Sequence, residues 1–575
     1  MKASDAVARF LIAHRVQTCF ELVGGMITHL LDSFAQSGKF NIISMHHEQS
    51  AAFAAEGVAR YSKGKTIALA MGTSGPGATN LLTGIGSCWF DSVPCLFITG
   101  QVNTRELKGA RGIRQQGFQE LDIVQVVRSV TKYAARVDRA EDLLPELHRA
   151  LTISLSGRQG PVLLDLPNDV QRADISNSLV DEWLNIPLEV SAGPEINPID
   201  LKRLKVLCSE SKRPLFCIGG GASWSNSMDG WLLMAEALGI PYVSTLMGHE
   251  RIIAREHYFN LIGSYGNREA NWAVQNCDLL MVLGARLDVR QTGADTNDFA
   301  RKARIVQIDI DPCQLGNRIH ADLNICASAE SFFKGFPLGS DTFPNLEKSW
   351  LLDISLQRDH AQINEYSDWV ISPSEIIKKL NHLLADQPVD YVCDVGNHQM
   401  WAAHNLRLSP NQAVHYSGGM GAMGFALPAA IGISIQSKAK SVVITGDGSL
   451  QINIQELDTL RRLALDITII VMNNSVLGMV KNFQDMYFDG RDQSTRKGYS
   501  RPSFTDIAVA YGIEAHRADN AADTDRVLSL IAGHKGPLLL EIMMDGATEC
   551  RPRLAFGSKL DEQIPTLNDN PTTLP

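Results

Sequence analysis

The chain has 575 residues, of which 45 % are hydrophobic and 20 % charged, material for about three or four domains of an ordinary globular protein. A net charge of −10 argues against the basic face that non-specific nucleic-acid binding needs. No apolar run approaches the ~18–20 residues of a membrane span, and ten cysteines without a CxxC pair suit reduced thiols in a cytoplasmic protein better than disulfides or zinc.

The N-terminal stretch Met1–Val16 reads as an amphipathic helix, with neither the apolar core nor the cleavage site of a signal peptide. Three stretches then alternate short apolar strands with amphipathic helices, the pattern of α/β domains with doubly wound parallel sheets. The first is expected over 1–175, with strands near Thr66–Met71, Pro94–Gly100 and Pro161–Pro167. The polar stretch Ala192–Pro198 reads as a linker. The second domain, over 190–335, opens on Arg213–Gly221 and contains Asp278–Asp288 and Ala303–Pro312. Irregular sequence at Phe336–Asn345 precedes the third, over 370–546, with strands near Val389–Gly396, Ser441–Gly448 and Asp466–Asn474. The tail, 547–575, is Pro-rich and is expected to wrap a surface.

Two strands of the third domain end in residues suited to a cation and a diphosphate. Gly446, Asp447, Gly448 and Ser449 follow one strand; Asn473 and Asn474 close the next, beginning 24 residues after Ser449. Ligands of parallel α/β sheets sit beyond the carboxyl ends of the strands, so Asp447 and Asn474 should emerge at one edge. A carboxylate and an amide oxygen form a partial shell for Mg²⁺, which takes waters and phosphate oxygens for the rest. The glycines let backbone amides approach a diphosphate at a helix N-terminus. Either motif alone is also an ordinary surface turn.

Together the two motifs resemble the cofactor signature of thiamine-diphosphate-dependent enzymes. The resemblance implies a metal shell of Asp447, Asn474 and the Val476 carbonyl, with Gly446, Gly448 and Ser449 beside the diphosphate of thiamine diphosphate. It also implies a first-domain glutamate that hydrogen-bonds N1′ of the aminopyrimidine; Glu48, in Met45–Arg60 ahead of a helix, matches it. The plainer reading of Glu48 is a residue favoured by the helix dipole. In Ser417–Ala430, Met423 would prop the bent cofactor and the Gly421 carbonyl would accept from its amino group, whereas the plainer reading is a glycine-rich helix start. Gly72–Asn80, Gly117–Ile123, Thr131–Tyr133, Ser244–Gly248, Gly284–Gly293, Ile308–Pro312 and Leu477–Met486 extend the resemblance, over nearly the whole chain, to the acetolactate synthase catalytic subunit. The implied order is a pyrimidine-binding, a central flavin-binding and a diphosphate-binding domain. Active sites of this kind form between the first domain of one subunit and the third of another, so a homodimer is the minimum unit and a homotetramer is expected.

Around the substrates the resemblance places Gly24, Phe118, Gln119 and Lys132, with Arg290, Met479, Val480 and Phe483 in the acceptor pocket and Met479 also against the cofactor. For a structural, non-redox FAD it offers Gly220, Gly221, Thr245, Leu246, Gly263, Arg286, Asp309 and Asp322. The residues themselves show only Gly219–Ala222, a weak glycine signal, and an empty middle domain is the plainer alternative. The implied reaction decarboxylates pyruvate and joins the two-carbon unit to a ketone. Two departures bear on the ketone. Phe483 stands where acetolactate synthases carry Trp, and Cys550–Pro565 is similar to tails of relatives linked to surface-polysaccharide sugars. Both favour a nucleotide-linked keto-deoxysugar acceptor, as in branched-sugar carboligases of the yersiniose type. Acetolactate synthase itself, with pyruvate or 2-ketobutyrate as acceptor, is the alternative: the resemblance puts Arg290 where those enzymes bind the acceptor carboxylate, and the plainer reading is a flavin or phosphate contact, since its bidentate donors suit either. Val23 stands where the family has Pro, with no functional account. A non-catalytic flavin- or thiamine-binding subunit and a redox flavoenzyme are competing readings from other classes; the intact set of Glu48, Asp447 and Asn474 argues against the first.

Overall fold

The computed structural model describes residues 1–362, 369, 371–544 and 546–566. Three six-stranded sheets follow one another along the chain, and every strand pair within them is parallel. The first contains Thr18–Glu21 (β1), Asn41–Ser44 (β2), Leu69–Gly72 (β3), Leu96–Gln101 (β4), Tyr133–Arg136 (β5) and Val162–Pro167 (β6). Its spatial order is β2-β1-β3-β4-β6-β5. The second contains Pro214–Ile218 (β7), Tyr242–Ser244 (β8), Tyr258–Leu261 (β9), Leu279–Leu283 (β10), Arg304–Asp309 (β11) and Leu323–Cys326 (β12), in the order β12-β11-β10-β7-β8-β9. That is the winding order of dinucleotide-binding domains, whose ligand lies where the order reverses, here between β7 and β10.

The third sheet contains Val389–Cys393 (β13), Gln412–Tyr416 (β14), Lys440–Gly446 (β15), Ile467–Asn473 (β16), Glu514–Ala518 (β17) and Leu538–Met543 (β18), in the order β14-β13-β15-β16-β18-β17. Counted from its own first strand, this is the order of the first sheet. Most central strands are buried along their whole length, for example β4, β6, β15 and β16. They are continuous apolar runs because parallel sheets are covered on both faces.

Five helices position the site: Glu48–Tyr61 (α1), Leu82–Asp91 (α2), Asn397–Asn405 (α3), Ala426–Ser437 (α4) and Gly478–Tyr487 (α5). Helices α1 and α4 join the first and third domains through one shared apolar core. Their backbones nearly touch: a Cβ on Gly432 would stand 1.9 Å from the Ala54 carbonyl oxygen, and one on Gly57 2.3 Å from that of Ala429. Glycine is required at both crossings, since no side chain fits there.

The tail turns back on the middle domain. Leu554 donates its amide to the Ser264 carbonyl at 2.8 Å, Gln563 donates to the Gly266 carbonyl at 2.7 Å, and Arg301 pairs with Asp561 at 2.7 Å. Among the described residues no helix is long and apolar enough to cross a membrane, and no disulfide joins the cysteines, eight of which are buried.

Candidate active site

The third sheet changes direction between β13 and β15, and both strand ends there carry polar residues. Asp447 begins a helical turn directly after β15 and is 2 % exposed. Burial pushes its carboxyl up to about 6, against the hydrogen bond from Tyr499, whose hydroxyl donates to Oδ2 at 2.7 Å. Asn474 follows β16; its Nδ2 donates to the Ala547 carbonyl at 2.8 Å, which fixes the amide and leaves Oδ1 facing the Val476 amide at a longer 3.3 Å. Among the described residues no three His, Cys, Asp or Glu side chains converge on a metal position. A hard cation here would therefore draw on amide, carbonyl and phosphate oxygens, the mixed shell that suits Mg²⁺.

The β13 end supplies residues that the sequence reading missed. Gly396, at φ +157°, leads into α3, whose first residues are Asn397 and His398. Both are buried, yet both polar atoms of the Asn397 amide and Nε2 of His398 lack a hydrogen-bond partner. A Cβ on Gly446 would lie 2.9 Å from His398 Nδ1, and one on Gly478 2.4 Å from Asn397 Nδ2, so both side chains sit at the glycine-lined strand ends. Burial pushes the His398 imidazole down to about 3, leaving it neutral. Buried polar groups without partners are rare, and these lie beside Gly446 and Gly478, next to the turns that carry Asp447 and Asn474. The signal was present in the sequence: Val395–Gly396–Asn397–His398 follows an apolar strand just as Gly446–Asp447–Gly448–Ser449 does.

The 417–425 loop is held from two sides. Asp394 accepts from the Gly424 and Ala426 amides at 2.9 and 3.0 Å. Asp91, on α2, accepts from the Gly418 and Gly419 amides at 3.1 and 2.7 Å. Asp91 is itself paired with buried Arg60, which also binds Glu56 at 2.7 Å and Glu250 at 3.1 Å, so all three domains meet at this ionic cluster. Gly421 takes φ +64°, and the Met423 methyl would lie 3.4 Å from a Cβ on Gly448, beside the turn that carries Asp447.

Glu48 opens α1 and is 5 % exposed. Its Oε2 accepts from Asn80 Nδ2 at 2.9 Å, and Oε1 would lie 3.1 Å from a Cβ on Gly77. A Cβ on Gly24 would strike Thr73 at 2.5 Å, and one on Gly75 would meet Gln119, itself at φ +64°, at 3.0 Å. Glu48, Gly24, Gln119 and the 79 %-exposed Phe118 thus share the carboxyl edge of the first sheet. Lys132 does not. It precedes β5 at the opposite edge, where its ammonium donates to the Ile153 and Ser156 carbonyls. Burial lowers it to about 8. Its contacts explain its placement: it holds helix-end carbonyls.

In the middle domain a cavity of about 350 Å³ opens at the β7–β10 reversal, walled by Gly220, Gly221, Thr245, Arg286 and Asp309. A Cβ on Gly221 would stand 3.2 Å from the Gly284 Cα, so bare backbone forms this wall. Leu246 lines a smaller cavity of about 80 Å³ adjoining it, together with Arg286, Arg290 and Met400. Gly263, at φ +111°, backs the Arg290 carbonyl and lines neither. Asp322 is also elsewhere: its carboxylate accepts from the Ile305 amide at 2.7 Å at the amino end of β11, across the sheet from the cavity. It precedes a strand, whereas ligands gather after strands.

Arg290 and Phe483 meet in a third cavity, of about 220 Å³, with Tyr265, Met486, Tyr487 and tail residues Arg553–Ser558. The Arg290 guanidinium lies 5.9 Å from the Tyr265 ring centre and has no carboxylate partner among the described residues. Phe483 is half exposed, its ring 4.6 Å from that of Tyr487. Met479 packs against the third-domain core and Val480 is exposed; both lie one turn before Phe483 on the same side of α5, and the cavity is walled by the later turns, at Asn482, Phe483, Met486 and Tyr487.

The chain matches the family described as thiamine pyrophosphate enzyme in three parts: the N-terminal TPP binding domain over residues 1–126, the central domain over 201–336, and the C-terminal TPP binding domain over 394–542. It is 33 % identical to the probable acetolactate synthase large subunit of Methanocaldococcus jannaschii, over 99 % of this chain and 96 % of that protein. It is 34 % identical to the chloroplastic acetolactate synthase of Arabidopsis thaliana, over 98 % of this chain and 84 % of that one. With the acetolactate synthase isozyme 2 large subunit of Escherichia coli strain K12 the identity is 32 %, over 99 % of this chain and all of that protein. Three family matches and whole-length relatives, on a fold with both strand-end motifs at one sheet edge, show that the chain belongs to the thiamine pyrophosphate enzyme family and is a thiamine-pyrophosphate-dependent enzyme that forms carbon–carbon bonds.

Proposed function

We propose that the chain carries out the acetolactate synthase reaction, in which one pyruvate loses CO₂ and its two-carbon unit is joined to the carbonyl of a second 2-keto acid. The observation that carries this reading is Arg290, an exposed guanidinium at a cavity wall with no carboxylate of its own. A guanidinium holds a carboxylate by two parallel hydrogen bonds, and a keto acid brings that carboxylate next to its reacting carbonyl, whereas a nucleotide-linked keto-sugar carries its charge on a diphosphate remote from the ketone. The whole-length similarity to acetolactate synthases supports the same acceptor over the keto-deoxysugar that Phe483 and the tail suggested. The keto-sugar is the second reading, favoured by the half-exposed Phe483 in a cavity of about 220 Å³.

Thiamine diphosphate, when bound, supplies the electron sink that decarboxylation of a 2-keto acid requires. Asp447, Asn474 and the Val476 carbonyl would hold Mg²⁺, and Asn397, His398 and the amides after Gly446 would hold the diphosphate. Gly421 and Met423 would seat the ring system, and Glu48 would hold a proton at N1′. The middle cavity fits an elongated dinucleotide such as FAD, with Gly220, Gly221, Thr245, Arg286 and Asp309 against it. The reaction leaves no net oxidation, so that flavin would be structural. All the Glu48 contacts given above lie in the first domain, which supports a site completed by a second copy and hence a homodimer or homotetramer. Buried cysteines without disulfides support a cytoplasmic setting.

The test is product analysis from pyruvate alone, with 2-ketobutyrate, and with a bulky keto-sugar. Acetolactate and its homologue are expected, and Arg290→Ala should lower both. CO₂ release with acetolactate absent, and product formed only with the keto-sugar, would replace this reading by the second.

A further inference from the structure

The segment after α5 is mostly exposed from Arg491 to Ser500, yet Tyr499 turns inward while Arg496, Lys497 and Gly498 before it and Ser500 after it face solvent. Gly498, at φ +77°, makes the turn. The Tyr499 hydroxyl then donates to Asp447 Oδ2 at 2.7 Å, and it would lie 3.5 Å from a Cβ on Gly448. The same segment is tied to the other half of the cation site. Arg501 Nε donates to Ser475 Oγ at 3.1 Å, beside Asn474, and Leu477 donates its amide to the Thr495 carbonyl at 3.1 Å. The Thr495 hydroxyl donates in turn to Gln484 of α5 at 2.5 Å.

We propose that Tyr499 is a positioning residue for the cation: it holds one oxygen of Asp447 so that the other is presented to Mg²⁺. This rests on Asp447 being a cation ligand, as proposed above. A carboxylate free to rotate on its side chain must be ordered each time a cation binds. One already fixed through its far oxygen is not, and outer-shell hydrogen bonds of this kind typically change metal affinity by ~10–100-fold. Two other roles give different results. A hydroxyl that merely caps the empty carboxylate would compete with the cation, so its removal would tighten binding. A purely structural tyrosine would affect folding and leave the metal alone.

The experiment titrates Mg²⁺ by calorimetry in the presence of saturating thiamine diphosphate, and follows denaturant unfolding without cofactors, for the wild type and Tyr499→Phe. The proposal expects Mg²⁺ to bind ~10–100-fold more weakly to Tyr499→Phe, with the unfolding curve little changed and partial recovery in Tyr499→His, which retains a ring and an N–H donor. Equal or tighter Mg²⁺ binding by Tyr499→Phe overturns it. If Tyr499→Phe does not fold, Tyr499→Leu, which also lacks the donor, takes its place: affinity below that of the wild type supports the proposal, and unchanged affinity overturns it. A wild type that shows no Mg²⁺-dependent cofactor binding overturns the cation site itself, a result distinct from a failure of Tyr499.

Discussion

Glu48 has a single side-chain donor, Asn80, and a glycine turn in place of any charged partner, so nothing in the first domain neutralises it. Glu48→Gln keeps the shape and the Asn80 contact but cannot carry a proton to and from a ring nitrogen. Turnover of pyruvate should fall by ~10²–10⁴-fold while the melting curve and Mg²⁺ titration stay as in the wild type; wild-type turnover would remove Glu48 from the chemistry. Asp165 tests a different kind of buried carboxyl. It lies on β6 and accepts from Thr99 and Gln101 of neighbouring β4, with Arg136 and Asp122 the charges that act on it. Burial raises it from 3.8 to about 7. A carboxyl raised on folding stabilises the protein fully below its unfolded value and loses that contribution as pH climbs through the folded one. Unfolding free energy measured from pH 4 to 8 should therefore carry a decline that Asp165→Asn lacks. The paired motifs were readable in the sequence because Gly446–Ser449 and Asn473–Asn474 each follow an apolar strand and stand one strand–helix–strand unit apart; either alone would pass for a turn. Asn397 and His398 also follow a glycine at the end of an apolar strand, but an amide and an imidazole there gain meaning only once both are seen buried and unpartnered. Asp322 and Lys132 came from the resemblance alone, and the structure sets both at the amino ends of strands, away from the edge where ligands gather.

At the scale of elements, the α1–α4 crossing offers the sharpest stability test. Gly432→Ala would place a methyl group 1.9 Å from backbone that cannot swing aside. Overpacking of this kind costs about 1–3 kcal/mol, and the denaturant midpoint should fall without loss of helix content in the native state. Helix α5 tests the acceptor. Phe483→Trp narrows the cavity shared with Arg290 and the tail, and should shift a competition between 2-ketobutyrate and a bulkier ketone toward the keto acid. A size change of one ring is worth about 1–3 kcal/mol in discrimination. Unchanged product ratios with a lowered melting temperature would make Phe483 a packing residue. That the tail faces Phe483 was outside the reach of sequence pattern, because Leu554 reaches Ser264 across nearly 300 residues and no periodicity records such a contact. On α5 the helical spacing puts Met479, Val480 and Phe483 on a shared face but does not say how far along the helix the cavity extends, which is set by the tail against its last turns.

Across the whole molecule, three α/β domains could be counted from alternating strands and helices, but strand order could not, since it is fixed by which edges meet and not by local composition. The middle order is that of dinucleotide-binding domains, and its reversal point carries the glycine-walled cavity. The purified protein should accordingly be yellow and release FAD on denaturation; a colourless, fully active preparation would reduce this domain to a scaffold. The first and third sheets, with one winding order between them, carry a consequence of another kind. Two copies of a single ancestral segment, joined in tandem around the middle one, would leave this pattern. Once doubled, each copy would be free to drift, one toward a glutamate after its second strand, the other toward the aspartate and paired asparagines. A catalyst assembled from such unlike descendants needs both halves brought face to face, and a selective advantage would then fall on chains that associate.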